Sequence, residues 1–168
     1  MLIVFSGLPG TGKTTIASAL ARQTGALYLR IDTIEQAIRN ADGLVGDLGC
    51  CGYSIANELA LSNLRLGNTV IADCVNPVAE SREAWRITAA NAAVELVNIE
   101  VSCSDTTEHQ RRVETSSSDI AGLSPPTWQA GLNHEYKAWD SPPLQIDTAR
   151  LMPAQAVAMI LRHINPKP

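Results

Sequence analysis

The sequence predicts an α/β fold, a parallel sheet with helices on both faces. Three observations predict it. Short apolar runs alternate with longer segments of helical character from end to end, the order that parallel strands joined by crossover helices require. The first run, Leu2–Phe5, is apolar throughout rather than alternating, as in a strand covered on both faces. Hydrophobic residues make up 45% of the chain and charged residues 18%, so a packed core is expected and disorder is not.

Taken in order, Leu2–Phe5 is the first strand, and Lys13–Gln23 is a helix ended by Gly25. Ala26–Leu29 is a second short strand and Thr33–Asn40 a helix. Ala41–Gly49 carries three glycines and two aspartates and reads as a loop. Ser54–Leu66 is a helix closed by Gly67, and Thr69–Ala72 is a strand rich in β-branched residues. Ala79–Ala92 is an amphipathic helix and Val94–Val101 a strand. Asp105–Glu114 is helical. Ser116–Pro126 is polar and Pro-containing, so it reads as a loop. Thr127–Trp139 is read as one helix carrying Trp128, Tyr136 and Trp139, used mainly for core packing. Leu144–Ile146 is the last strand, and Pro153–His163 a helix with Pro at its start. A length of 168 residues fits one domain over residues 1–168.

Composition excludes several functions. The net charge of -4 rules out a broadly basic nucleic-acid surface, though not a local basic pocket. No apolar run approaches the ~20 residues that cross a bilayer, so no membrane contact is expected. The N-terminal segment lacks a basic start and runs straight into glycines, unlike a signal peptide. Cys50, Cys51, Cys74 and Cys103 form no CxxC pair and have no His beside them. Neither a zinc site nor a disulfide framework is expected, and reduced thiols fit a cytoplasmic location. Cys50 and Cys51 read as buried packing at a helix start. His109, His134 and His163 show no ligand spacing.

In sheets of this class a ligand sits at the carboxyl ends of the strands. There, after the first strand, stands Gly7-Leu8-Pro9-Gly10-Thr11-Gly12-Lys13-Thr14, which matches G-x-x-x-x-G-K-[ST] between a strand and a helix. Gly7, Gly10 and Gly12 let the backbone curl so that N–H groups point at a phosphate. The helix that starts at Lys13 adds its positive end. Lys13 reaches the β- and γ-phosphates, and Thr14 offers its hydroxyl to Mg²⁺. Thr11 and Thr15 complete the segment. A nucleoside triphosphate is implied. No NKxD-like segment is present to read guanine, and the chain is too short for a ring ATPase with a helical lid domain. A small phosphotransferase remains.

Asp32 follows the second strand and is a candidate general base for an attacking hydroxyl. Asp is also a favoured helix N-cap, and the two roles are compatible. Arg39, seven residues on, is a candidate clamp on an anionic or polar substrate, or else a solvated surface cation. Asp73 ends the third strand as a Walker B aspartate would, placed to hold a metal-bound water or a substrate hydroxyl. Asn76, on the same loop, is a candidate substrate contact. Arg111 and Arg112, after the fourth strand, are candidate lid cations that neutralise the transferring phosphoryl group. From Val113 through Tyr136 there is no Lys or Arg, so lid closure is expected to depend on that pair.

The segments GLPGTGKTT, RIDTIEQAIR, IADCVNP, HQRRVET and LSPPTW resemble the small P-loop kinases grouped as zeta-toxin-like, polynucleotide-kinase-like or chloramphenicol-phosphotransferase-like proteins. The resemblance runs from Leu2 to about Thr148. It implies an adenylate-kinase-like sheet of order 2-3-1-4-5, with ATP and Mg²⁺ as cofactors. It also implies Lys13 and Thr14 for phosphates and metal, Asp32 as base, and Arg111 or Arg112 as lid arginine. Many relatives carry another Arg after the segment that matches VET; here that stretch is serine.

The expected activity is transfer of the γ-phosphate of ATP to a hydroxyl of a small molecule, by a monomer or homodimer. One alternative is a 5′-hydroxyl polynucleotide kinase, which needs a basic groove from Arg30, Arg39 and Arg82 leading to Asp32. Another is a nucleotide-binding regulator with weak ATPase activity.

Overall fold

The computed structural model describes residues 1–42 and 48–165. Of the expected Ala41–Gly49 loop, residues 43–47 lie outside the described residues. The chain runs β1 (Leu2–Ser6), α1 (Lys13–Thr24), β2 (Leu27–Arg30), α2 (Ile31–Asp42), α3 (Cys51–Arg65) and β3 (Val70–Asp73). It continues α4 (Ala79–Asn91), β4 (Leu96–Ser102), α5 (Thr106–Thr115), α6 (Trp128–Leu132), β5 (Leu144–Asp147) and α7 (Pro153–Ile164). The strands form a parallel sheet of order β2-β3-β1-β4-β5, as the resemblance implies.

Side-chain alternation along β1 divides the core in two. Ile3 and Phe5 face α1 and α7, packing with Ile16, Leu20, Val157 and Ile160. Leu2 and Val4 face the other way, against Ala56, Ala60 and Leu64 of α3 and Trp85 and Ala89 of α4. Both β1 faces are buried, so an alternating polar pattern there would strand polar groups. Alanines on α3 and α4 let those helices approach the sheet closely, and Trp85 fills the remaining depth.

Register puts the functional strand ends level. Asp73 stands opposite Phe5 on one side and Arg30 on the other. The helix α2 starts at Ile31 directly from β2, two residues earlier than expected, so Asp32 lies in its first turn rather than at a cap before Thr33. Asp105 does cap α5, accepting a hydrogen bond from the Glu108 backbone at 3.0 Å. Cys50 and Cys51 are exposed, against expectation, and it is Cys74 that is buried. The first two sit at the outer start of α3, whereas Cys74 directly follows β3.

The expected helix Thr127–Trp139 is cut short, and α6 stops at Leu132. Arg82 is the reason. Its guanidinium donates to the carbonyls of Asn76 (3.2 Å), Pro77 (3.3 Å), Lys137 (2.7 Å) and Ala138 (2.8 Å). It also lies 4.0 Å from the Trp139 ring centroid and 5.3 Å from that of Tyr136. Trp139 Nε1 donates to Glu100 at 3.1 Å, and the Lys137 backbone to Pro77 at 2.8 Å. A helix continued through Trp139 would aim the Lys137 and Ala138 carbonyls along its axis instead of at Arg82.

Replacing Arg82 by Ala leaves several carbonyls without a partner and should destabilise the fold by roughly 2–3 kcal/mol. Denaturant melts of Arg82→Ala and of Arg86→Ala provide the comparison. Arg86 pairs with Glu83 on the exposed face of α4, and its removal should leave the midpoint unchanged.

Candidate active site

The loop after β1 is built around three glycines in left-handed backbone, with φ of 135° at Gly7, 78° at Gly10 and 92° at Gly12. A Cβ on Gly7 would strike the Val101 carbonyl, and one on Gly10 the Val113 side chain. The loop therefore needs glycine for conformation and for close approach at once. Thr11 Oγ1 donates to the Leu8 carbonyl at 2.8 Å, and Lys13 Nζ donates to the same carbonyl at 2.9 Å. Lys13 is only 7% exposed. Burial pushes its ammonium below the ordinary lysine range, while Asp73 and then Asp32 pull it back up. Thr14 is half-buried and Thr15 exposed at the start of α1.

The acidic side comes from the two neighbouring strand ends. Asp73 is buried and accepts a hydrogen bond from the Tyr28 hydroxyl at 2.7 Å. Burial and the Asp73 carboxylate push the Tyr28 phenol far above its ordinary value, so it stays a donor. Asp32 is half-exposed, with a carboxylate oxygen 3.6 Å from Arg30 Nε. Arg30 Nη1 donates to both oxygens of Asp119, at 2.8 and 3.0 Å.

The helix α5 closes the other side. His109 Nε2 donates to the Pro9 carbonyl at 2.8 Å, and its ring meets Trp128 of α6 edge-on, with centroids 5.1 Å apart. Arg112 donates to Glu108 (2.8 Å) and to the hydroxyl (2.9 Å) and carbonyl (3.3 Å) of Thr148. The Thr148 hydroxyl donates in turn to the Thr11 carbonyl at 2.8 Å. Arg112 is thus braced against the phosphate loop through one threonine.

Several expected site residues stand elsewhere. Asn76 is fully buried: its amide nitrogen donates to Ser6 Oγ at 3.0 Å, its backbone N–H donates to the Tyr53 hydroxyl at 2.9 Å, and it holds φ of 51°. It ties the loop after β3 to β1 and does not present itself to a substrate. Arg111 has a side chain 61% exposed and pairs with Glu108 at 2.7 Å, on the solvent side of α5. Arg39 pairs with Glu35 one turn back on α2, at 3.8 Å. Tyr28, Thr148, His109 and Asp119 belong to the site although sequence reasoning gave them no role there, and so does Arg30, expected only as part of a nucleic-acid groove. For Tyr28 and Arg30 a signal existed, because they alternate on β2 immediately before Asp32. Thr148 directly follows the last strand, where the strand-end rule points.

The profile of the AAA domain family matches residues 2–119. No curated protein sequence matches the chain. Among solved structures, a Chloroflexus aurantiacus protein provisionally described as a kinase superposes with a TM-score of 0.74 at 20% identity, covering 99% of this chain and 97% of that one. A gluconokinase from Sinorhizobium meliloti gives 0.67 at 18% identity, covering 98% and 93%. Chaetomium thermophilum Kti12, solved with ADP-AlF3, gives 0.62 at 20% identity, covering 96% and 97%. At these identities the likeness is one of fold.

The pair of arginines beside it lowers the Glu108 carboxyl to about 2. An acid lowered by folding adds stability above its ordinary value of 4.5 and loses it as pH falls toward 2. The melting-temperature gap between parent and Glu108→Gln should be widest above pH 4.5 and narrow steadily below it. Thermal melts across that range read the gap directly.

Proposed function

The chain belongs to the AAA domain family, and from that premise we propose an ATP-dependent kinase that moves the γ-phosphate of ATP to a hydroxyl of a small molecule. The chain is a small P-loop protein of kinase type. The observation that carries the finer reading is the sharing of one electrostatic field by Lys13, Asp73 and Asp32 at three adjacent strand ends. A nucleotide-binding loop with a carboxylate pair facing its lysine suits transfer to an acceptor. We extend the proposal to one domain over residues 1–168, working in the cytoplasm as a monomer or homodimer. Among the described residues no helix is long and apolar enough to cross a membrane.

The glycine loop fits a phosphate by its conformation, since Gly7, Gly10 and Gly12 hold positive φ and side chains at Gly7 or Gly10 would push the curl off Val101 and Val113. When bound, ATP supplies the phosphoryl group and Mg²⁺ offsets the charge on its oxygens. Thr14 and Asp73 would hold that metal. Tyr28 holds one Asp73 oxygen and so fixes the carboxylate's orientation. Lys13, at the base of the cradle, meets the β- and γ-oxygens. Asp32 receives the proton of the acceptor hydroxyl as its oxygen bonds to phosphorus and the bond to the departing ADP oxygen breaks. Arg112, fixed through Thr148 to the phosphate loop, adds cationic charge on the lid side without requiring Arg111.

The polynucleotide reading loses support, because two of the three cations of its groove are engaged away from Asp32: Arg39 pairs with Glu35, and Arg82 binds backbone carbonyls. The regulator reading predicts nucleotide hydrolysis that no acceptor stimulates.

Lys13→Ala should weaken ATP binding and lower turnover by about 10²–10³-fold or more. Unchanged turnover in that variant would sink the kinase reading. Asp32→Asn should keep ATP affinity while losing about 10²–10⁴ in rate, because it keeps the shape and removes the base. Titration calorimetry with ATP, beside a coupled ADP assay over a panel of hydroxyl compounds, separates the two effects.

A further inference from the structure

Arg30 is the buried cation of the acceptor side. It ends β2, stands level with Asp73 in the sheet, and precedes Asp32 by two residues. Its side chain is only 14% exposed. A buried guanidinium keeps its charge and so demands an anion. The present anion is Asp119, from a segment 89 residues away in sequence.

Asp119 holds that place loosely. Its side chain is 75% exposed, and its segment has no regular secondary structure. Both its oxygens meet the same nitrogen, Nη1, rather than gripping two nitrogens in parallel. Arg30 Nε is buried and has no hydrogen-bond partner, the nearest Asp32 oxygen being 3.6 Å away. The guanidinium therefore has donor capacity that Asp119 leaves unused. Releasing an exposed carboxylate to water costs little, whereas leaving Arg30 with Asp32 alone costs more.

The same segment covers the acceptor side. Gly122 lies against Gln36 and Asn40 of α2, so that a Cβ there would come 3.1 Å from Gln36 Nε2. An acceptor group that reaches the Arg30 guanidinium beside Asp32 takes the place of Asp119. Only an acceptor bringing its own negative charge restores the balance around Arg30.

We infer that Arg30 binds an anionic group of the acceptor, that Asp119 stands in for that group while the segment is down, and that the acceptor is a hydroxy compound bearing a carboxylate or a phosphate. This rests on the kinase reading and names its substrate class. Arg39, the anion clamp expected from the sequence, yields that role to Arg30.

The test uses the full chain saturated with a non-hydrolysable ATP analogue and Mg²⁺, so that the phosphate loop takes up no probe anion. The ¹⁵Nε–¹Hε resonance of Arg30 is followed by NMR against glycerol, glycerate and glycerol 3-phosphate. These share a three-carbon skeleton and differ in charged group. Glycerate or glycerol 3-phosphate should move the Arg30 signal and raise hydrogen exchange across residues 116–126, and glycerol should do neither. Whichever anion responds tells carboxylate from phosphate. Asp119→Asn removes the competing charge and should tighten the anion by about tenfold. Arg30→Gln should abolish the exchange response; if that variant fails to fold, the Asp119→Asn comparison still decides. Three results overturn the inference: an equal response to glycerol, no response to either anion in Asp119→Asn, or weaker anion binding in Asp119→Asn, which would make the contact a lid latch. The readout needs no turnover, so its failure is separable from failure of the kinase reading, which Lys13→Ala tests.

Discussion

The structure depends on keeping one lysine ammonium out of water. Lys13 is almost fully buried at the start of α1, where an unpaired cation would be strongly destabilising. The Leu8 carbonyl accepts one of its protons, and Asp73 and Asp32 supply compensating charge. Those carboxylates reach it because β3 lies beside β1 and β2 beside β3. Sheet order therefore decides which carboxylates act on Lys13.

That constraint propagates outward. Asp73 is itself buried, so it needs a donor, and the Tyr28 hydroxyl from the neighbouring edge strand supplies it. Arg30 is next along β2 on the same alternation, and its partial burial calls for Asp119 from the far segment. On the opposite side the glycine loop would be free to rearrange were it not pinned. His109 holds the Pro9 carbonyl, and Thr148 holds that of Thr11. The loop is thus preorganised from both flanks, the condition under which positioned charges stabilise a transferring phosphoryl group.

Arginine placement separates chemistry from construction. Arg82 and Arg111 looked as available for ligand work as Arg112 did, yet they differ in what surrounds them. Arg82 is wrapped by four carbonyls and two aromatic rings, and Arg111 pairs with Glu108 on the solvent side. Only Arg112 reaches past Glu108 to the turn that touches the phosphate loop. The roughly 100° between consecutive residues of α5 decides between the two neighbours.

The sequence by itself determined the elements and the phosphate loop. Leu2–Phe5 had to be a two-sided strand, because its apolar run leaves no polar face. Gly7, Gly10, Gly12 and Lys13 declare their loop through spacing alone, since backbone conformation there is a local property. Asp32 and Asp73 were legible by position, for strand ends are where such sheets bind ligands. Tertiary structure decided what local rules do not reach. Tyr136 and Trp139 left the expected helix because Arg82, more than fifty residues earlier in the chain, takes the Lys137 and Ala138 carbonyls between them and lies against both rings. Asn76 became a buried tie instead of a substrate contact because Ser6 and Tyr53 converge on it from other elements. Which anion faces Arg30 was equally hidden, for the partnership with Asp119 spans 89 residues of sequence. A side chain's role follows from the charges and carbonyls that folding brings beside it, and those pairings exist only once the strands have taken their order.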